Sequence, residues 1–489
     1  MRSLPRYQDA RRGAEYALEF ICRNGDKRQQ MKQRVWGMHR EADKRVLGLA
    51  WPCVLENLSV IMISFVDAAM IGALGPAATA AVGLNATPSW LLGGIVQSLG
   101  VGGTALVARL MGGGEREEAG RVSGIVFRMS LVLSAFLTAL MLLGAPAVPV
   151  IMNGDPAIRP DAVRYMRFLA LGFIPHYTGI CMGALLRGAG DTRTPMISGL
   201  MSNFLNIILN FFLIYESRGI TVLGVSVHVW GAGFGVAGAA GASALATGIA
   251  GLYVLWSLAR KKSVLKVRWA AQWDGQVARR VLRVAYPAAL ERAAINLGQM
   301  VFARMVSSVD INTFAAHNQA IQVESMGYMP AYGFSAAATT LVGQSLGAKK
   351  ADDARLYGGR AILLCLGLLC VIGAVMYAFA PFLISLLTPD AEVRRIGAML
   401  IRICAFEQPF NAIHIVTSGA LRGAGDTKVP FLCGLISMWG VRILFAWITG
   451  ILLGGGVAAF WWCMVADLGV RSLFLLLRFR QGGWINAKV

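Results

Sequence analysis

The sequence predicts an all-α integral membrane protein of about twelve transmembrane helices, built as two pseudo-symmetric six-helix bundles. Three observations predict it. Only 15% of the 489 residues are charged while 56% are hydrophobic, with a mean hydropathy of +0.58. Soluble chains carry roughly 25% charged residues, so this one lacks the polar side chains to cover several soluble domains. Apolar stretches of about 20 residues, the length that crosses a hydrocarbon core, recur along the chain. The second half also repeats the first at one fixed spacing.

Taken in order, residues 1–45 are polar and basic and lack the apolar core of a signal peptide. They read as a cytoplasmic extension. Met31 is expected as the translational start, which detection of residues 1–30 by intact mass would overturn. Helices are expected near 46–72, 85–110, 121–147, 162–186, 195–216 and 232–258, forming an N-lobe over 46–258. After a linker at 259–280, a C-lobe over 281–480 holds helices near 281–306, 315–344, 360–388, 394–420, 429–453 and 457–478, followed by a short tail at 481–489.

Lysine and arginine mark the sides. The linker region carries Arg260, Lys261, Lys262, Lys266, Arg268, Arg279, Arg280 and Arg283, and Arg116, Arg187, Lys349, Arg422 and Arg478 fall on the same side. Opposite connections are poorer: 73–84 has none and 454–456 is three glycines, while arginines in 152–167 and 389–402 alternate with Asp155, Asp161, Asp390 and Glu392. The positive-inside rule then puts both termini and the linker in the cytoplasm, on a multi-pass protein of the cell's inner membrane. The net charge of +20 sits in these connections and not on a soluble face, which excludes nucleic-acid binding. The eight cysteines show no CxxC or metal spacing and read as small buried hydrophobes. The 57 glycines suit closely approaching membrane helices.

The repeat is specific. Arg187-Gly188-Ala189-Gly190-Asp191-Thr192 recurs 235 residues later as Arg422-Gly423-Ala424-Gly425-Asp426-Thr427. The same shift carries Pro52, Leu55 and Glu56 onto Pro287, Leu290 and Glu291, and Thr104, Leu106, Val107 and Gly112 onto Thr339, Leu341, Val342 and Gly347. Six helices return the chain to its starting side, so the repeats are parallel, related about an axis along the membrane normal.

The two LRGAGDT turns, each followed by Pro195 or Pro430, resemble the multidrug and toxic compound extrusion (MATE) family of the multidrug/oligosaccharidyl-lipid/polysaccharide flippase superfamily. Val66-Asp67 with Leu74-Gly75-Pro76, Leu341-Val342-Gly343-Gln344, Asn206 through Asn210 and the terminal Arg478-Phe479-Arg480 carry the same likeness from about residue 45 to the end. The resemblance implies a V-shaped, two-lobed antiporter that exchanges H⁺ or Na⁺ for amphipathic organic compounds, often cations, by alternating access. It implies a monomer with no bound cofactor.

An ionisable group at bilayer depth needs an explanation. Asp67 lies well inside the first expected helix, with no Lys or Arg within four residues, and its repeat mate is Phe302. The architecture therefore does not require an acid there, and a carboxyl among apolar neighbours can serve as a proton- or sodium-coupled switch. Asn203, Asn206 and Asn210 share one face of the fifth helix, opposite the apolar mates Met438, Val441 and Phe445. In the related transporters an Asn and an acid four residues on join the first-helix Asp around a cation. Asn206 matches the Asn and Asn210 stands where the acid would be, so a Na⁺ site would rest on Asp67 and Asn206. Ser243 matches a sixth-helix hydroxyl. In the second half, Asn411 takes the place of an acid some relatives use, with Glu407 one turn earlier, and Glu291 and Glu324 are further cavity candidates. Glu291 aligns with Glu56, which favours a shared structural role. Asp467 and Arg471 are spaced as a neutralising pair, while Arg128, Arg304 and Arg442 have no local partner.

The RGAGDT turns are expected to pair their own Arg and Asp at the helix ends. No GxxxxGK[ST] or HExxH is present, which argues against ATP coupling and against an enzyme. The alternative to drug export is a lipid or lipid-linked saccharide flippase of the same superfamily, whose cleft would carry basic residues such as Arg128 and Arg304.

Overall fold

The computed structural model describes residues 25–222 and 225–487. Twelve spans run α1 Gly25–Gly72, α2 Pro76–Gly112, α3 Arg116–Gly144, α4 Arg159–Leu171 with Phe173–Ala189, α5 Arg193–Leu213 and α6 Gly235–Ala259. The second set is α7 Gly275–Ser307, α8 Ile311–Gly347, α9 Ala351–Ala378, α10 Ala391–Ala405 with Gln408–Gly423, α11 Lys428–Leu452 and α12 Gly456–Gln481. Among the described residues eight helices are long and apolar enough to cross a membrane, and the bent pair of α4 makes a ninth. The spans α7 and α8 are more polar, and α10 is broken into segments of 15 and 16 residues.

Local chemistry sets the ends. Gly75, at φ +106°, turns the chain into α2 with Pro76 in its first turn, where a missing N–H costs nothing. Asp274 caps α7, its Oδ1 accepting from Gln276 N at 2.8 Å and Val277 N at 3.3 Å. Those backbone N–H groups, and then Arg121 at 2.7 Å, hold its carboxyl below the usual range. Asp310 caps α8 through Thr313. The second glycine of each LRGAGDT turn, Gly190 and Gly425, takes φ +98° and +87°, the left-handed stop that ends α4 and α10.

The fold is all-α in class, as expected, with details the sequence did not show. Between α5 and α6, β1 Glu216–Val222 and β2 Val225–Ala232 form an antiparallel hairpin. Of the basic stretch 1–45, residues 1–24 lie outside the described residues, and 25–45 are helical and continuous with the first span. The span α4 bends by 52° at Gly172, ahead of Pro175, and α10 breaks at Phe406–Glu407 ahead of Pro409. Two stretches of α11, Ser437–Ile443 and Trp447–Leu452, are π-helical.

The duplication is visible in three dimensions. The spans α2 and α8 cross so closely that a Cβ at Gly112 would overlap Gln344 O, and one at Gly347 would overlap Arg109 O. Gly112 and Gly347 are repeat mates, as are Arg109 and Gln344, so the pseudo-twofold axis runs between them. The starts of α1 and α7 are exchanged: Val46 and Ala50 join the second-half core, while Val277, Ala278 and Val281 join the first. Hydrogen bonds between the halves gather at the end that carries the linker, hereafter the basic side. There Thr340 Oγ1 donates to Arg187 O at 2.8 Å, Gln344 Nε2 to Gly188 O at 3.0 Å, and Arg360 grips Asp43 at 2.6 and 2.5 Å. The halves are thus joined on the basic side, the arrangement that leaves a two-lobed cleft to open on the other.

Candidate ion-coupling site

The spans α1, α5 and α6 bring Asp67, Asn206, Asn210 and Ser243 together. Asp67 stands five residues before the end of α1 and Asn210 three before the end of α5, so the cluster lies toward the end opposite the basic side. Asn210 Nδ2 donates to Asp67 Oδ1 at 2.6 Å. Asn206 is buried beside it: its Nδ2 donates to Asp67 Oδ1 at 2.6 Å and Oδ2 at 3.2 Å, while its Oδ1 accepts from Ser243 Oγ at 3.1 Å.

Asp67 itself is half-buried, and among the described residues no Lys or Arg pairs with it. Tyr215 Oη, at the foot of the hairpin, donates to Met70 O at 2.9 Å and ties the end of α1 to the strands. For Na⁺, the donor set is Asp67 Oδ1 and Oδ2, Asn206 Oδ1 and Ser243 Oγ. These are hard oxygens with one formal negative charge, chemistry that suits a monovalent ion or a proton. Asn210, in place of an acid, supplies a donor where a second anion would otherwise stand. Among the described residues no group of three or more His, Cys, Asp and Glu forms a metal site.

Asn203 is not part of this cluster. Its Nδ2 donates to Ser59 Oγ at 2.8 Å, joining α5 to α1 further down. Glu291 is engaged by Arg422 Nη2 at 2.8 and 2.7 Å, and its repeat mate Glu56 by Arg187 at 3.3 Å to both oxygens. The arginines of the RGAGDT turns therefore pair with the acids of the PxxLE segments and not with their own Asp, which corrects the sequence reading. Asp191 instead caps α5 through Arg193 N and Thr194 N, and Asp426 holds Arg478. Glu324, Glu407 and Asn411 are buried within the second-half bundle. Arg442 does have a partner, Asp467 at 2.8 Å, shared with Arg471 at 3.1 Å. Arg128 donates to Trp269 O in the linker, and Arg304 is exposed in the last turn of α7. Sequence reasoning missed Arg292, whose Cδ would lie 3.7 Å from a Cβ at Gly94 of α2, across the seam between the halves. The adjacent Glu291 was the only signal for it.

A family model described as MatE matches residues 52–212 and 287–448, once in each half. The chain is 29% identical over 450 residues to a probable multidrug resistance protein NorM of Thermotoga maritima, covering 91% of this chain and 93% of the relative. It is 27% identical over 448 residues to the multidrug resistance protein PmpM of Pseudomonas aeruginosa, covering 90% and 91%. Among solved structures, a MATE in the straight conformation superposes with a TM-score of 0.82 at 22% identity, over 90% of this chain and 96% of the other. The Vibrio cholerae MATE transporter VcmN in its bent form gives 0.81 at 20%, over 91% and 97%.

Proposed function

The chain belongs to the MatE family of membrane transporters, and from that premise we propose that it is a secondary active exporter, which exchanges an incoming H⁺ or Na⁺ for outgoing amphipathic organic compounds. The observation that carries the coupling is the Asp67 cluster. A carboxyl with no cationic partner is held by the amides of Asn206 and Asn210, and Asn206 is held in turn by Ser243, so a proton or monovalent cation taken up at Asp67 acts on contacts that join α1, α5 and α6. A ligand shifts an equilibrium only by its differential affinity for the two states. Ion and substrate thus need opposite preferences for the conformations and no shared site.

The excess of Lys and Arg in the linker side supports a cytoplasmic basic side, with both termini there, in the cell's inner membrane. The bilayer and the transported small molecules are the partners this reading requires, and one chain suffices for both lobes. The test is export of a fluorescent organic cation from proteoliposomes under separately imposed pH and Na⁺ gradients. Gradient-driven export is expected in the native chain and lost in Asp67→Asn. Full coupled export by a folded Asp67→Asn protein would end the role of this residue. A lipid flippase reading loses Arg128 and Arg304, which do not face the seam, but gains Arg292. Binding of a phosphate-bearing lipid that depends on Arg292 would favour it.

A further inference from the structure

The span α7 presents two different exposed faces. Leu290, Leu297 and Met300 form an apolar one, suited to hydrocarbon. On the other, Val281 and Ala285 press on α2 at Gly102, where an added Cβ would meet Val281 O and Ala285 Cβ. Arg292, Asn296 and Gln299 continue that second face at helical spacing, and they are exposed. The face that seals the halves near the basic side therefore runs on into open space, which is the cleft. Arg292 has Gly94 of α2 on one side and Tyr332 of α8, 42% exposed, on the other. Trp90 of α2 is 71% exposed and stands five turns before Ala108, which touches α8 at Gly343, so it faces the cleft as well.

The charge on this face is unbalanced. Among the described residues the Arg292 guanidinium makes no hydrogen bond and no ion pair. The adjacent Glu291 is taken by Arg422 at 2.8 and 2.7 Å, which leaves one positive charge in excess at bilayer depth, where each charge needs a reason. The residues 235 positions earlier are Asn57, Ile61 and Ser64, so the duplicated framework does not need it. The acids in the central part of the spans are engaged elsewhere. Glu56 is held by Arg187 and Asp67 by Asn206 and Asn210, while Glu324, Glu407 and Asp467 are buried in the second-half bundle.

We propose that the cleft binds the transported amphipath by an anionic group, a carboxylate or a phosphate, which Arg292 takes in its guanidinium fork. The planar guanidinium matches two oxygens of such a group at once. The Asn296 amide, one turn on, adds a donor beside it, and Trp90 and Tyr332 offer aromatic surface to the apolar part. The substrate class is then an anionic or zwitterionic amphipath. One that carries a cation alone forgoes this contact and binds more weakly. The inference rests on the cleft being the substrate path of the export reading.

The test is binding of two rhodamine dyes to the purified full chain in phosphatidylcholine nanodiscs, read by fluorescence polarisation. One dye carries a free carboxylate and the other is its methyl ester, so both share the same cationic ring system. The native chain is expected to bind the free acid about tenfold more tightly than the ester, the worth of one charge-assisted pair. Arg292→Gln should remove that preference and leave the affinity for the ester unchanged. Asn296→Asp sets a carboxylate one turn from Arg292, occupies its guanidinium and should remove the preference too, which serves where Arg292→Gln does not fold. Equal affinities in the native chain, or a preference that survives in either folded variant, would overturn the proposal. Competition separates the two sources: lysophosphatidate displacing the acid dye before laurate does marks a phosphate-bearing lipid, and the reverse order a carboxylate-bearing compound. Displacement by neither would overturn the proposal. Binding is read without a gradient, so loss of coupled export and loss of the preference are observed separately.

Discussion

The two repeated ion pairs show how far one sequence feature can diverge in energy. Glu291 is 9% exposed and Arg422 reaches it at 2.7 Å, while Glu56 and Arg187 are 24% and 23% exposed and 3.3 Å apart. Removing one member of a buried pair leaves a desolvated charge, which costs about 3 kcal/mol or more. The more exposed pair is worth about 1 kcal/mol or less. Glu291→Gln is therefore expected to lower the Tm in detergent well beyond Glu56→Gln, and equal shifts would show that burial does not separate them. Asp274 provides the pH test. Its carboxyl is held low, by the N–H groups of Gln276 and Val277 first. Its contribution is present above the ordinary carboxylate pKa and lost as pH falls through the lower folded value. The Tm gap between the native chain and Asp274→Asn is expected at neutral pH and should close below about pH 4. At this scale Asp67, Asn206 and Asn210 were legible because polarity appears in one repeat and not the other. Asn203 misled, because seven residues of helix span about 10 Å and both ends of the stripe cannot reach one carboxyl. The partner of Arg442 lay 25 residues away on the next span, where no local pattern could show it.

Elements divide along the same line. The long apolar spans and their glycine stops are written in composition and in the two LRGAGDT turns, so their number and order could be read. The breaks of α4 and α10 could not, because the apolar runs continue through them. The prolines at 175 and 409 are the signal, and proline within an apolar run is common in membrane helices. The hairpin was hidden because the stretch after Asn210 continues the apolar run of α5 before Glu216. The crossing of α2 and α8 was signalled only as a shared glycine of the repeat. Gly112 and Gly347 each stand where a Cβ would overlap a backbone carbonyl of the opposite half. Gly112→Ala or Gly347→Ala must therefore push the two spans apart. Both are expected to weaken closure on the basic side and to slow export. A variant with native export rates would show that the crossing tolerates separation.

For the molecule as a whole, the question is what holds the halves together on the basic side. The bonds from Thr340 Oγ1 to Arg187 O and from Gln344 Nε2 to Gly188 O run from α8 into the first LRGAGDT turn. The same turn supplies the arginine that pairs with Glu56. A repeated structural turn thus serves also as the contact between repeats, and only in one direction, since both donors belong to α8. Each bond contributes about 1 kcal/mol net, and a two-state equilibrium moves about fivefold per kcal/mol. Thr340→Val with Gln344→Ala should therefore shift the population by roughly 25-fold toward opening on the basic side. Spin labels at the exposed Arg116 and Lys350, just beyond α2 and α8, would read this as a longer distance gaining weight in the double variant. An unchanged distance distribution would mean that the apolar contact of α2 with α8, and not these hydrogen bonds, sets the balance between the two states.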